Sequence, residues 1–152
     1  MLKKSFLILL IIGLVLSGAV GCSGESDEES PTETNGEETY SIKIYVNDKL
    51  TGSVTLEEID SLDKVAFSTE DKDEEGPILT DVLEFAGIED FNKVTAVGMT
   101  KGRIASAELT LERDQIDDTV ILDITNRGTT KLAGKNISSN DWIIDVSELR
   151  IE

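Results

Sequence analysis

The chain has 152 residues, 39% of them apolar and 30% charged, and its 14 Lys and Arg against 31 Asp and Glu give a net charge of −17. Such a surface repels nucleic-acid phosphates and anionic lipid headgroups, so neither is expected as an electrostatic partner. With no histidine and a single cysteine, Cys22, the chain has no imidazole base, no internal disulfide and no cysteine-based zinc site.

In chain order, residues 1–21 are expected to be a targeting segment. Lys3 and Lys4 give a basic start, residues 6–16 are almost uninterruptedly apolar, and small residues precede the cysteine. Ala19-Val20-Gly21-Cys22 resembles the lipobox of prokaryotic lipoproteins. The resemblance implies that Cys22 is acylated through its sulfur, palmitate being the type of chain, and becomes the new N-terminus. It implies a chain held to the cell membrane on its extracytoplasmic face by lipid. Several acyl chains give the lasting anchorage that one does not, at about 0.8 kcal/mol per buried methylene. Residues 23–38 have no large apolar side chain and seven acids, so residues 22–38 read as a lipidated cysteine and a disordered, self-repelling acidic tether.

The folded domain is expected over residues 39–152. Tyr40, Ile42, Ile44 and Val46 alternate with polar or smaller neighbours at the period of a half-buried strand. Asn47-Asp48 turns the chain into a second extended piece at 50–56, and Thr55 with Glu58 forms the capping box of a short helix. A third strand is expected at 64–69 and an acidic turn at 70–75. Pro77 then opens a helix at its first position, with Leu79, Val82, Leu83 and Ala86 on one face and Gly87 at its end. A helix this short needs a surface to dock on, and the surrounding strands supply a sheet. Residues 93–99 and 104–109 form a hairpin around Thr100-Lys101-Gly102, and residues 111–118 hold one helical turn. A very apolar strand follows at 119–125, then the turn Asn126-Arg127-Gly128, then extended pieces at 142–146 and 149–151. The expected class is α+β, a mixed sheet with a few short helices.

The order of these segments resembles the molybdopterin-binding domain of the sulfite-oxidase superfamily. The residues that carry it are Val54-Thr55-Leu56-Glu57-Glu58-Ile59 and the stretch from Gly76-Pro77-Ile78-Leu79-Thr80-Asp81 through Val82-Leu83-Glu84-Phe85-Ala86-Gly87-Ile88. The strand Lys93-Val94-Thr95-Ala96-Val97-Gly98-Met99 and the close around Trp142-Ile143-Ile144-Asp145-Val146 add to it. In that family a cysteine thiolate ligates molybdenum, and histidine and arginine side chains hold the pterin. This domain has no cysteine and no histidine, its Asp-Gly turn is Lys101-Gly102, and the family's late Gly-Pro segment is missing near 134–140. The resemblance therefore implies the fold without the cofactor: no cofactor, catalytic or pterin-binding residue carries over.

Two acidic groups invite a chemical reading. Asp71, Asp73 and Glu75, with Gly76, partly match a calcium loop, although Val82 stands where the loop's bidentate acid belongs. The plain alternative is a solvated turn ahead of a helix, whose N-terminus favours negative charge. Asp114, Asp117, Asp118 and Asp123 make a second group whose simplest role is solubility, since paired carboxylates for sugar chemistry want an aromatic platform beside them. Trp142 reads either as core or as a ligand-stacking ring.

The expected function is a membrane-anchored, non-enzymatic lipoprotein whose degenerate oxidoreductase-like domain is a binding or scaffolding module for a protein or small molecule. The alternatives are an accessory subunit or cryptic pterin binder of a redox system, and a calcium-responsive surface protein.

Overall fold

The computed structural model describes residues 39–70, 72–99 and 106–152. The targeting segment, Cys22 and the tether up to residue 38 lie outside them, as do Asp71 and the expected turn at 100–102.

Alternation builds β1 (Ser41–Val46), which buries Ile42 and Ile44. Asn47 and Asp48 both take positive φ, 50° and 62°, giving a two-residue turn whose twist suits antiparallel strands. The chain returns as β2 (Lys49–Thr55) and enters α1 (Leu56–Asp60). The expected capping box is present: the Glu58 N–H donates to Thr55 Oγ1 at 3.3 Å and the Thr55 N–H to the Glu58 carboxylate at 2.8 Å. β3 (Lys64–Ser68) follows.

From Asp73 on, the expected acidic turn is replaced by a strand. β4 (Asp73–Pro77) pairs antiparallel with β3, Lys64 opposite Pro77 and Ser68 opposite Asp73. Pro77 thus ends a strand, where its missing N–H is tolerated, rather than opening a helix. Tertiary pairing decides the boundary: Ile78 bridges Ile121, and the Leu79 N–H donates to the Val120 carbonyl at 2.8 Å. α2 (Leu79–Phe85) starts only after that, with Ile78 as its N-cap. Its inner face, Leu79, Val82 and Leu83, is fully buried, as the spacing predicts. Two bonds close the helix, Gly87 N–H to the Glu84 carbonyl and Ile88 N–H to the Leu83 carbonyl. They require the positive φ of 81° that Gly87 supplies.

β5 (Lys93–Met99) and β6 (Ser106–Glu112) form the expected hairpin, with Lys93 opposite Glu112. β6 runs on through Leu111 and Glu112, so the helical turn expected there shrinks to a single 3₁₀ turn at Arg113–Gln115. β7 (Ile121–Ile124) turns back through Asn126 to Gly128 into β8 (Thr130–Ala133), a strand the sequence did not announce. β9 (Ile143–Ile151) is one strand where two extended pieces were expected.

The strands β2-β1-β9-β5-β6 lie in that order, and β8, carrying β7, joins at β9. Among the described residues only β1 and β9 pair in parallel and every other pairing is antiparallel, so the sheet is mixed, and it dominates these residues, whose helices are few and short. β9 is its spine, because β5 follows one edge while the other edge changes partner. Residues Ile143 and Ile144 pair with β8, and Glu148 to Ile151 pair with β1. Between them Asp145 takes φ 54°, a left-handed residue inside a strand, and β5 accommodates the kink at Gly98. A Cβ on Gly98 would lie 2.6 Å from the Asp145 carbonyl oxygen. Among the described residues no helix is long and apolar enough to cross a membrane.

Candidate functional site

The β3–β4 hairpin is not hydrogen-bonded into the large sheet, yet it lies hard against β7. A Cβ on Gly76 would come within 2.3 Å of the Leu122 carbonyl oxygen, so glycine sets the approach of β4 to β7. Alternation along β4 then points Asp73 and Glu75 outward and Glu74 inward, where it is 1% exposed. An inward carboxylate needs a partner, and the β7–β8 hairpin delivers one. Its register sets Asp123 opposite Lys131, and the Lys131 ammonium reaches both carboxylates. The Lys131 Nζ–Asp123 Oδ2 distance is 3.0 Å, and Lys72 adds a second ammonium 3.2 Å from Glu74 at the surface.

Electrostatics tie the cluster together. Burial pushes the Glu74 carboxyl up, but hydrogen bonds to Asp123, Lys131 and Lys72 outweigh it and hold the group below its usual range. Asp123 is pushed up, by burial first and then by sharing a hydrogen bond with Glu74, against the pull of Lys131. At Lys131 burial favours the neutral amine, yet the two carboxylates more than offset this and hold the proton above the ordinary lysine range.

Tyr40 also keeps its proton beyond the ordinary range. Burial is the main cause, helped by the charge of Asp145 and opposed by hydrogen bonds from Thr130. Its hydroxyl is bonded to Thr130 and to the Val146 carbonyl, pinning the start of the domain to β8 and β9. For both groups the folded value lies above the unfolded one. Their contribution is therefore complete below about pH 10 and is lost as pH rises through the folded values. Denaturant titrations of the full chain should show stability falling above about pH 10, with a shallower fall in Tyr40→Phe. An unchanged slope in that variant would contradict the assignment.

Above the cluster opens a cleft of about 1110 Å³. One side is the end of β3 with Phe67 and Lys72; the other is the β7–β8 turn with Arg127 and the segment leading to Trp142. Trp142 is half-buried and held on three sides. Its Nε1–H donates to the Ile137 carbonyl at 3.1 Å, Phe67 meets it edge-on at 6.3 Å, and the Lys131 ammonium lies 5.1 Å from the ring centroid. At the mouth, Asp145 Oδ1 accepts from Arg127 Nη2 at 2.8 Å and from Thr129 Oγ1 at 2.6 Å. The left-handed backbone of Asp145 thus sits beside the cleft and fixes a guanidinium over it, the kind of placement where local strain accompanies a binding surface.

The residues singled out from the sequence fare differently. Asp71 lies outside the described residues. Asp73 and Glu75 are held extended on the exposed side of β4, whereas a calcium loop gathers its ligands from a tight turn. Among the described residues no three acidic, Cys or His side chains converge as for a metal ion. The second acidic group is divided: Asp114 and Asp117 line one small pocket, where Asp117 accepts from Thr119 and from Asn136 Nδ2 at 2.7 Å, while Asp123 belongs to the buried cluster. Trp142 is both partly core and part of the cleft wall. Glu74, Lys131 and Arg127 were missed. A signal for them existed in the Asn126–Gly128 turn, because folding the chain back there sets Asp123 against Lys131.

No family model and no curated protein matches the sequence. Among solved structures the chain is similar to the sulfane dehydrogenase SoxCD from Paracoccus pantotrophus, with a TM-score of 0.56 and 15% identity. The likeness covers 74% of this chain and 38% of that one, so the chain spans well under half of its neighbour's length. At this identity what is shared is the fold.

Proposed function

We propose that this chain is a lipid-anchored, extracytoplasmic, non-catalytic binding module, an α+β domain of the sulfite-oxidase molybdopterin-binding type that works without the cofactor. The observation that carries it is the occupancy of the cleft floor by the protein's own charges. Lys131, the cation placed deepest, is committed to Glu74 and Asp123, and Glu74 brings a buried carboxylate to the cleft itself. A phosphate-bearing pterin would meet that carboxylate at the cleft floor. The end of β3 offers Ser68 and Thr69 to the cleft, hard oxygens and no thiolate. The residues present do not fit molybdopterin.

The lipobox-like Ala19-Val20-Gly21-Cys22 supports anchorage at Cys22, and the seven acids that follow support a tether holding the domain off the membrane. The likeness to part of a sulfane dehydrogenase favours one second reading, an accessory subunit of a redox system. One preparation tests both. The full chain, purified from membranes of its producing cell, is expected to show a diacylglyceryl modification at Cys22 by intact mass, without molybdenum or pterin fluorescence. Stoichiometric molybdenum would overturn the non-catalytic reading, and an unmodified leader would overturn the anchorage.

A further inference from the structure

Resting on the reading of the cleft as a binding site, we infer that its ligand is a short peptide with both termini ionised, bound in extended form. Four cations line the cleft, Lys72, Arg127, Lys131 and Lys135, against the carboxylates of Glu70, Glu74 and Asp145. A further carboxylate, Asp123, meets Lys131 in the floor. Lys72 and Lys131 are thus held by Glu74 and Asp123, and Arg127 by Asp145, while Glu70 and Lys135 make no ion pair among the described residues. One charge of each sign is left over, and both side chains are exposed. A ligand with an ammonium and a carboxylate satisfies both and adds no net charge to a chain of −17. A plain anion meets that field and leaves Glu70 without a partner.

The registers separate these two charges along the cleft. Ser68 pairs with Asp73, and the next residue, Glu74, reaches the Lys131 that pairs with Asp123, so Glu70 lies toward the Asn126–Gly128 turn. Lys135 lies at the other end, two residues beyond Ala133, which pairs with Ile121 at the start of β7. A ligand that meets both charges is therefore long. A cleft of about 1110 Å³, just above the usual range of roughly 300–1,000 Å³ for small-molecule sites, has room for several residues. Between the two ends, β3 offers its main chain. It pairs with β4 alone, and no described strand takes its other edge. Phe67 and Ser68 both line the cleft, although alternation turns successive residues to opposite faces, so it is the edge of β3 that borders it. An extended peptide adds to such an edge through backbone hydrogen bonds. With its amine at Glu70 and its carboxylate at Lys135, the peptide runs antiparallel to β3. Asn126 and Asn140 add exposed amides, each able to donate and accept, toward the peptide groups that face away from β3.

The full chain, held in detergent, is incubated with a library of pentapeptides that carry free termini, alanine at both ends and every residue at the central positions. Retained peptides are identified by mass spectrometry, and the strongest is titrated calorimetrically beside its N-acetylated and C-amidated forms. Saturable binding is expected, with each blocked form at least about threefold weaker, the scale of a partly exposed ion pair. Glu70→Gln should bind the free and acetylated peptides alike yet still discriminate against the amide, and Lys135→Gln should do the reverse. Both side chains are exposed, so these variants are expected to fold. No peptide retained, equal binding of the blocked forms, or unaltered discrimination in either variant would overturn the inference. A panel of neutral and acidic glycans and aromatic acids is run in parallel. Retention of one of these without any peptide removes the peptide and leaves the cleft as a binding site; retention of nothing removes both.

Discussion

Lys131→Ala is expected to destabilise the full chain by about 3–5 kcal/mol in urea denaturation, the range seen when one partner of a buried ion pair is removed. The size follows from what is left behind. Glu74 is 1% exposed, and its remaining cation, Lys72, sits at the surface with its side chain 57% exposed. The alanine variant therefore keeps two neighbouring carboxylates with no buried countercharge, and its deficit should shrink at low pH as they protonate. Replacing the cluster as a unit should behave differently. Glu74→Leu, Asp123→Leu and Lys131→Met together remove the charges along with their desolvation cost, and the triple variant should recover most of the lost stability. If the single and triple variants are equally unstable, the cluster is not a set of mutually dependent charges.

Gly76→Ala should lower stability by at least about 1–3 kcal/mol, the usual cost of overpacking. The added methyl would meet the Leu122 carbonyl oxygen at 2.3 Å, its carbon at 2.7 Å and the Asp123 nitrogen at 2.9 Å. These are backbone atoms, which cannot rotate aside, so β4 must lift from β7. That movement carries Glu74, two residues back on the same face, away from Lys131, and Phe67 on the paired strand away from Trp142. The loss of stability should thus come with a changed Trp142 emission in the folded state. Gly52→Ala is the matched control: nothing lies within 4 Å of the added Cβ, and the effect should stay within about 0.5 kcal/mol. Equal effects at the two glycines would contradict the close seam.

Local signals were legible where local physics decides. The alternation of Ile42 and Ile44, the Thr55–Glu58 box and the Leu79-Val82-Leu83 face each depend on neighbours within a turn or two, and all appear in the structure. The Gly87 stop appears too, one position beyond the cap. The seam failed for the opposite reason. Asp73-Glu74-Glu75-Gly76-Pro77 has almost no strand-forming residue, and its extended form is imposed from outside by β3, by the Val120 and Ile121 backbone, and by Lys131. An acidic run read alone suggests a solvated turn or cation loop. Only a lysine 57 positions later gives one of those acids a reason to be buried.

The same limit hid the candidate site. Thr130-Lys131-Leu132-Ala133 is too short and too mixed to announce a strand, so the ammonium beneath the cleft had no assigned place. The kink at Asp145 is likewise a tertiary matter, arising where β9 exchanges β8 for β1 and permitted by Gly98 on the facing strand. The resemblance to the sulfite-oxidase type was carried by structural segments such as α2 and the Val54–Ile59 step. The structural likeness at 15% identity accords with that, since it concerns fold rather than chemistry.

The most direct measurement is the nitrogen-15 NMR signal of the Lys131 side chain in the full chain at neutral pH. A charged ammonium held between Glu74 and Asp123 and beside the Trp142 ring should give a resolved signal, its protons exchanging slowly and shifted by the indole. It should vanish in Lys131→Met and leave other lysine signals in place. A Lys131 ammonium that exchanges as fast as those of exposed lysines would mean that the cleft floor is open to water and its charges are unpaired.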